Sequence, residues 1–185
     1  MKCVSLLLLA TALCFTQVGF GQAARRAPGF SLPDMQLKQH DLQDYRGKVV
    51  LIEFMKTQCP ACQKMSVTLE AIKKQYGEKI AVFSVVHPPD NQSTVARYVA
   101  ANGVTYPVLF DCGQMAASYL QATPSNPTIH LPHLVIVDQS GAIRESLNDS
   151  KSEELGQKGL TAILDEILKM SRAGLRVETL QRSVP

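Results

Sequence analysis

Cys59 and Cys62 stand in the run Cys59-Pro60-Ala61-Cys62, a spacing at which two thiols close into a disulfide with little backbone change. The pair opens a segment in which Cys62, Met65, Leu69, Ile72 and Tyr76 recur at helical intervals. Pro60 suits the first helical position, where its missing N–H costs nothing. A helix starting here aims unpaired N–H groups and the positive end of its dipole at Cys59, which favours thiolate over thiol. Cys59 is therefore expected to be the nucleophile. Cys62, one turn further in and on the stripe of Met65 and Leu69, should be more buried and act as the resolving thiol. Glu53 interrupts the apolar run Val49–Met55 (VVLIEFM). An acid there points into the core or under the following helix, where desolvation makes it hold a proton near neutral pH. It is assigned as proton acceptor and donor for Cys62; the plain alternative is an acid at a strand end that reaches solvent.

Other chemistries use the same residues less well. A structural zinc site needs a second ligand pair, and His130 with His133 is the only candidate. A copper or zinc carrier could join Cys59 and Cys62 to His133 or His87. A peroxide-reducing cysteine follows Pro-x-x-x-Thr/Ser-x-x-Cys; counted back from Cys59, Lys56 holds the Thr/Ser place and Ile52 the Pro place, so that pattern fails. Cys112 lies outside the pair and reads as a buried or idle thiol, and His87 as a solvated loop residue.

The elements that must position this pair follow from periodicity. Val49–Met55 and Ile80–Val86 (IAVFSVV) are continuous apolar runs, the mark of strands covered on both faces in a parallel sheet. With the helix that begins at Pro60 and stops at Gly77 they form a strand-helix-strand crossover. Upstream, Phe30, Leu32, Met35 and Leu37 fit a short hairpin or arm, and Leu42–Lys48 one helical turn ended by Gly47. Downstream come a helix over 91–102, a short strand at Val108-Leu109-Phe110 and a helical turn through Ala116 to Leu120. Residues 121–132 hold three prolines and read as a loop. Leu134–Val137 and Ile143–Leu147 form a hairpin around Asp138-Gln139-Ser140-Gly141. A final amphipathic helix carries Leu160, Ile163, Leu164, Ile167 and Leu168, with Ser150 and Glu153 spaced as a capping box. The sum is an α/β fold with a mixed sheet.

The 185 residues are 45% hydrophobic and 19% charged, with a formal charge of +3. That balance fits one or at most two globular domains, and the charge is too mild to argue for a surface built to track phosphates. Lys2, the apolar run Val4–Phe15 and the small residues Gly19, Gly21, Ala23 and Ala24 read as an export signal over 1–23, too short to cross a bilayer as an anchor. Residues 24–29 read as a linker, 30–171 as the domain and 172–185 as a flexible tail. Cys3 and Cys14 leave with the signal. Cys59, Cys62 and Cys112 remain, a reactive couple plus one rather than a disulfide scaffold.

Four segments together, Ala27-Pro28-Gly29-Phe30-Ser31-Leu32, Leu42-x-x-Tyr45-Arg46-Gly47-Lys48-Val49-Val50-Leu51, Cys59-Pro60-Ala61-Cys62 and Pro132-His133-Leu134-Val135-Ile136-Val137-Asp138, resemble the TlpA/ResA-like thiol-disulfide oxidoreductases of the thioredoxin superfamily, redoxins with an AhpC/TSA-like domain. The resemblance implies a thioredoxin-like fold with a mixed central sheet flanked by helices and an N-terminal extension. It implies an exported, periplasmic or extracytoplasmic enzyme that exchanges disulfides with proteins carrying thiols or disulfides, more as reductant than oxidant. Its electrons would come from a membrane donor. No cofactor beyond the redox-active Cys59–Cys62 disulfide, no metal and no nucleic acid is implied. By position Pro132 is the cis-proline beside the cysteines, and Gln58, Pro60 and Leu131 would border the substrate segment. The family usually has Trp before the first cysteine; here the residue is Gln58, and the chain has no Trp.

Overall fold

The structure, a computed structural model, describes residues 25–182; the export signal expected over 1–23 lies outside them. Strands β1 (Ser31–Pro33) and β2 (Gln39–Asp41) pair antiparallel as a small arm. Leu37, expected with the apolar residues of this arm, sits instead at its exposed tip with a φ of 61°. A 3-10 turn over Leu42–Tyr45 leads into β3 (Val49–Phe54). Then follow α1 (Pro60–Tyr76), β4 (Ile80–Val86), α2 (Gln92–Asn102), β5 (Val108–Phe110) and α3 (Gln114–Leu120). The chain ends with β6 (His133–Val137), β7 (Ile143–Leu147), α4 (Ser152–Leu155) and α5 (Gln157–Arg182).

Five strands form one sheet in the order β5-β4-β3-β6-β7. β3 is central, parallel to β4 and antiparallel to β6. Every residue of β3 is buried, because helices cover both of its faces. Val49, Leu51 and Met55 pack with Cys62, Met65, Leu69 and Ile72 of α1 and Leu160 and Leu164 of α5. Val50, Ile52 and Phe54 pack on the other face with Phe30, Met115 and Tyr119. The alternation puts Glu53, between Leu51 and Met55, on the α1 face. Helices on both sides of a mixed sheet give the α/β architecture that the apolar runs imply and the thioredoxin-like fold that the resemblance implies.

Three readings of the ends and loops are corrected. Residues 25–29 are a pinned segment rather than a free linker. Ala27 N–H donates to the Gly141 carbonyl at 2.9 Å, Ile143 N–H to the Arg25 carbonyl at 2.8 Å, and the Arg25 guanidinium reaches the Tyr119 carbonyl at 2.7 Å. Ser150 and Glu153 make no capping box. Asn148 accepts from Ser150 N–H at 3.1 Å and starts a 3-10 turn first, so Ser150 is spent on that turn. Gly159 is needed where α4 meets α5, since a Cβ there would lie 2.6 Å from the Glu153 carbonyl oxygen. α5 continues as helix through Arg182, across residues expected as a flexible tail.

Candidate active site

The loop from β3 to α1 delivers Cys59 as the N-cap of α1, with Pro60 in the first helical turn. Cys62 N–H donates to Cys59 Sγ at 3.3 Å, and Gln63 N–H donates to the Cys59 carbonyl at 3.0 Å. A terminal N–H directed at sulfur stabilises negative charge on it. Cys59 is half-buried and Cys62 fully buried, and both are free thiols. Burial first, and the hydrogen-bonded Cys59 next, push the Cys62 thiol well above the ordinary cysteine range. The two sulfurs are therefore unlike: one is reachable and anchored to a helix terminus, the other is withdrawn among Met65, Leu69 and the sheet.

Glu53 lies beneath the pair with no exposed surface. Ser84 stands opposite it on β4, and its hydroxyl donates to Glu53 Oε2. Oε1 has no hydrogen-bond partner. Burial, opposed in part by the Ser84 bond, pushes the Glu53 carboxyl from 4.5 up to about 8, so this acid can take or give a proton in the neutral range. Its charge also acts on Cys62, and on the far side β6 presents only Leu134 opposite it.

The remaining expected residues differ in their placement. The Leu131–Pro132 bond is cis. Pro132 is buried, while Leu131 is half-buried and packs against the same cluster as Cys59. Gln58 and Pro60 are exposed. Gln58 borders a cleft of about 330 Å³ with Thr57, Gln63, Arg97, Tyr98 and Asn102. Cys112, expected as a buried or idle thiol, is exposed just beyond β5. It leaves the core because the chain turns outward there, with the neighbouring Asp111 side chain capping α3 through Met115 N–H and Ala116 N–H at 3.0 and 3.2 Å. His130 is exposed, and His133 is half-buried with Nε2 2.8 Å from Ser146 Oγ. Burial, with the nearby charge of His130, keeps His133 below its usual range. Among the described residues no group of three or more His, Cys, Asp or Glu side chains is placed to hold a metal.

Two positioning features were missed in the sequence. Thr57 is clamped by Asp90, with Thr57 N–H to Oδ2 at 3.0 Å and the hydroxyl to Oδ1 at 2.5 Å, while Thr94 Oγ1 reaches the same Oδ1 at 3.0 Å. This ties the loop before Cys59 to the start of α2. The partners are 33 residues apart, and only the polar cluster Asp90-Asn91 ahead of a helix hinted at them. Tyr98 donates to the Cys62 carbonyl at 3.4 Å, which fixes the first turn of α1 from α2. The Pro88–Pro89 bond is a second cis peptide at this end of the sheet.

The AhpC/TSA family model matches residues 23–146. The chain is 29% identical over 140 residues to the thioredoxin-like protein YneN of Bacillus subtilis, covering 74% of this chain and 78% of that one. It is 25% identical over 161 residues to the thiol-disulfide oxidoreductase ResA of Geobacillus thermodenitrificans, covering 83% and 89%. A thiol:disulfide interchange protein of the thioredoxin family from Chlorobium tepidum superposes with a TM-score of 0.68 at 17% identity, over 79% of this chain and 97% of that one, a likeness of fold. The cysteine pair at the helix terminus and the matched family model lead to one conclusion: this chain belongs to the AhpC/TSA family and is a thiol-disulfide oxidoreductase of thioredoxin-like fold.

Proposed function

We propose that this enzyme acts outside the cytoplasm on protein thiols and disulfides, and that it runs chiefly as a reductant. The observation that carries the reading is the asymmetry of the pair: a half-exposed Cys59 at the helix terminus and a buried Cys62 above a buried acid. In the reducing direction the Cys59 thiolate attacks one sulfur of a partner disulfide. The partner S–S bond breaks, its other sulfur leaves as a thiolate and takes a proton, and a Cys59–partner disulfide forms. Cys62 then passes its proton to Glu53 and attacks Cys59 Sγ. The mixed disulfide breaks, the partner's second thiol is released, and the Cys59–Cys62 disulfide remains. Two electrons and two protons have gone to the partner. A membrane-bound electron donor resets the pair.

Glu53 receives the proton because its raised affinity sits near the working pH, whereas an ordinary surface carboxylate would be too weak a base. Leu131 and the Pro132 turn, with Gln58 and Pro60 across from them, form the border along which an extended substrate segment lies. The likeness to ResA, itself named a thiol-disulfide oxidoreductase, supports this reading, and the short apolar leader read from the sequence supports the location.

The test is the reduction potential of the chain lacking residues 1–23, equilibrated in graded dithiothreitol or glutathione buffers and read by alkylation and mass. The account expects one two-electron transition, lost in Cys62→Ser and kept in Cys112→Ser, with a midpoint near or below about −250 mV. A midpoint near about −120 mV would reverse the assigned direction. Thiols that resist alkylation until a chelator is added would replace the redox reading with metal carriage.

A further inference from the structure

Among the described residues two buried side-chain polar atoms lack a hydrogen-bond partner, Glu53 Oε1 and the Tyr106 hydroxyl. A buried polar atom left unpaired is costly, so two in one neighbourhood call for a common explanation. They share that neighbourhood through Ser84. Ser84 pairs in register with Glu53 on one side and with Val108 on the other. Its side chain donates to Glu53 Oε2, and its N–H donates at 3.2 Å to the carbonyl of Pro107, the residue after Tyr106. Tyr106 is buried to 4% exposure, yet with Thr105 and Pro107 it lines the wall of a cleft of about 570 Å³ at the outer edge of β4 and of a second cleft of about 230 Å³ beside it. Tyr106 belongs to the same α1-face core cluster as Cys62, and its ring stands between that cluster and the clefts that open beside Glu70 and Lys73 of α1.

The other groups around Glu53 are already committed. Ser84 is spent on Oε2 and Tyr98 on the Cys62 carbonyl. Cys62 and Cys59 face it from α1, Tyr98 from α2, and β6 contributes only Leu134. Tyr106 alone offers an unspent hydroxyl. Burial first, and the Glu53 charge next, hold that phenol firmly protonated, opposed in part by the nearby Ser84 hydroxyl, whose hydrogen bond goes to Glu53 Oε2, so Tyr106 stays a neutral hydroxyl and not a competing anion.

We propose that Tyr106 is a positioning residue for the proton step, its hydroxyl linked to Glu53 Oε1 across no more than one water, steadying the ionised carboxylate and passing its proton outward to the cleft beside β4. The inference deepens the redox function proposed above and rests on it. After Cys62 has given its proton to Glu53, the carboxyl O–H bond breaks as Tyr106 Oη accepts that proton. The original Oη–H bond breaks toward cleft water. Tyr106 ends neutral, Glu53 ends ionised, one proton has left, and nothing is oxidised or reduced in this step. It also explains how an acid sealed beneath the cysteines exchanges protons while a substrate covers the mouth of the site.

The test uses the Cys112→Ser chain in reduced form, mixed with excess 5,5′-dithiobis(2-nitrobenzoate). The first burst of thionitrobenzoate reports attack by Cys59, and the second, concentration-independent phase reports resolution by Cys62. In the parent the second phase should rise with pH through an inflection near 8, set by Glu53. Tyr106→Phe removes only the unpaired hydroxyl. Loss of one hydrogen bond to a charged group should move the inflection up by about one unit and slow the second phase about tenfold at pH 7, with the first phase unchanged. Glu53→Gln should abolish the inflection, and Tyr106→Phe should then add nothing. An unmoved inflection in Tyr106→Phe, or the same slowing in the Glu53→Gln background, overturns the proposal. If the Phe variant does not fold, the native Tyr106 hydroxyl proton decides by NMR. A signal protected from water and shifting through the Glu53 inflection supports the link, and free exchange insensitive to Glu53 refutes it. A parent with no second phase at all would overturn the redox function itself, a separate outcome.

Discussion

Cys62→Ser should arrest the enzyme at its mixed disulfide. Cys59 keeps its helix terminus and its exposure, so it still attacks a partner, but the resolving sulfur is gone and the only exit is a slow outside thiol. Steady-state turnover should fall at least ~10³-fold, in line with the loss of a nucleophile from a two-step covalent mechanism. A covalent adduct joined at Cys59 should accumulate and run as a heavier band on non-reducing gels. Cys59→Ser should lose turnover to the same extent with no adduct. The burial of Cys62 sharpens this contrast, because a partner disulfide has no route to it while Cys59 stands at the mouth. If Cys59→Ser instead formed the adduct, the assignment of attacking and resolving thiols would have to be exchanged.

Glu53→Gln should change stability and chemistry in opposite directions. In the unfolded chain this carboxyl loses its proton near 4.5, whereas in the folded protein it holds the proton to about 8. Between those values the unfolded state binds fewer protons than the folded one. The native chain therefore loses stability as pH rises through that window, by a few kcal/mol on the order set by a shift of this size. Below the window and above it, this group contributes no slope. A buried Gln keeps a hydrogen-bonding side chain of the same shape and has nothing to ionise. Urea midpoints should therefore fall between pH 5 and 8 in the native protein and stay level in Glu53→Gln, leaving the variant the more stable of the two at pH 8. Catalytically the variant should resolve its mixed disulfide about 10²-fold more slowly at pH 7, the usual scale for loss of a positioned base, while attack by Cys59 keeps its rate. Equal pH dependence of stability in the two proteins would mean that Glu53 is not the buried titrating group described here.

The pattern in the chain made much of this legible for a definite physical reason. β3 and β4 are covered on both faces, so Val49–Phe54 and Ile80–Val86 stand out as unbroken apolar runs. The stripe Cys62, Met65, Leu69, Ile72 and Tyr76 maps directly onto the buried side of α1. The acid inside the first run read as a buried proton carrier with a solvent-reaching strand end as the alternative, and its place in the middle of β3 decides for burial. What escaped notice depends on strand register or on distant pairing, to which local periodicity is blind. Ser84 as the partner of Glu53 follows only once β3 and β4 are aligned. The Asp90 clamp on Thr57, the Tyr98 bond to the Cys62 carbonyl and the unspent Tyr106 hydroxyl all come from elements brought together by the sheet. Residues 25–29 read as a linker because Arg-Arg-Ala-Pro-Gly has no apolar period; their hold comes from backbone bonds to Gly141 and Ile143, which any sequence can make, and from the Arg25 guanidinium on the Tyr119 carbonyl. At Ser150 two local signals competed, and the Asn148 side chain took the N–H first.

Differential alkylation tests the central claim, the unequal roles of the two thiols, most directly. The reduced protein is pulsed with iodoacetamide at pH 7 to 8 and each cysteine is read by peptide mass, alongside a sample oxidised beforehand. The account predicts rapid label on Cys59 and on exposed Cys112, and protection of Cys62. In the oxidised sample only Cys112 should take label, with Cys59 and Cys62 recovered as one disulfide-linked species. Label on Cys62 as fast as on Cys59, or a disulfide joining Cys112 to either member of the pair, would contradict it.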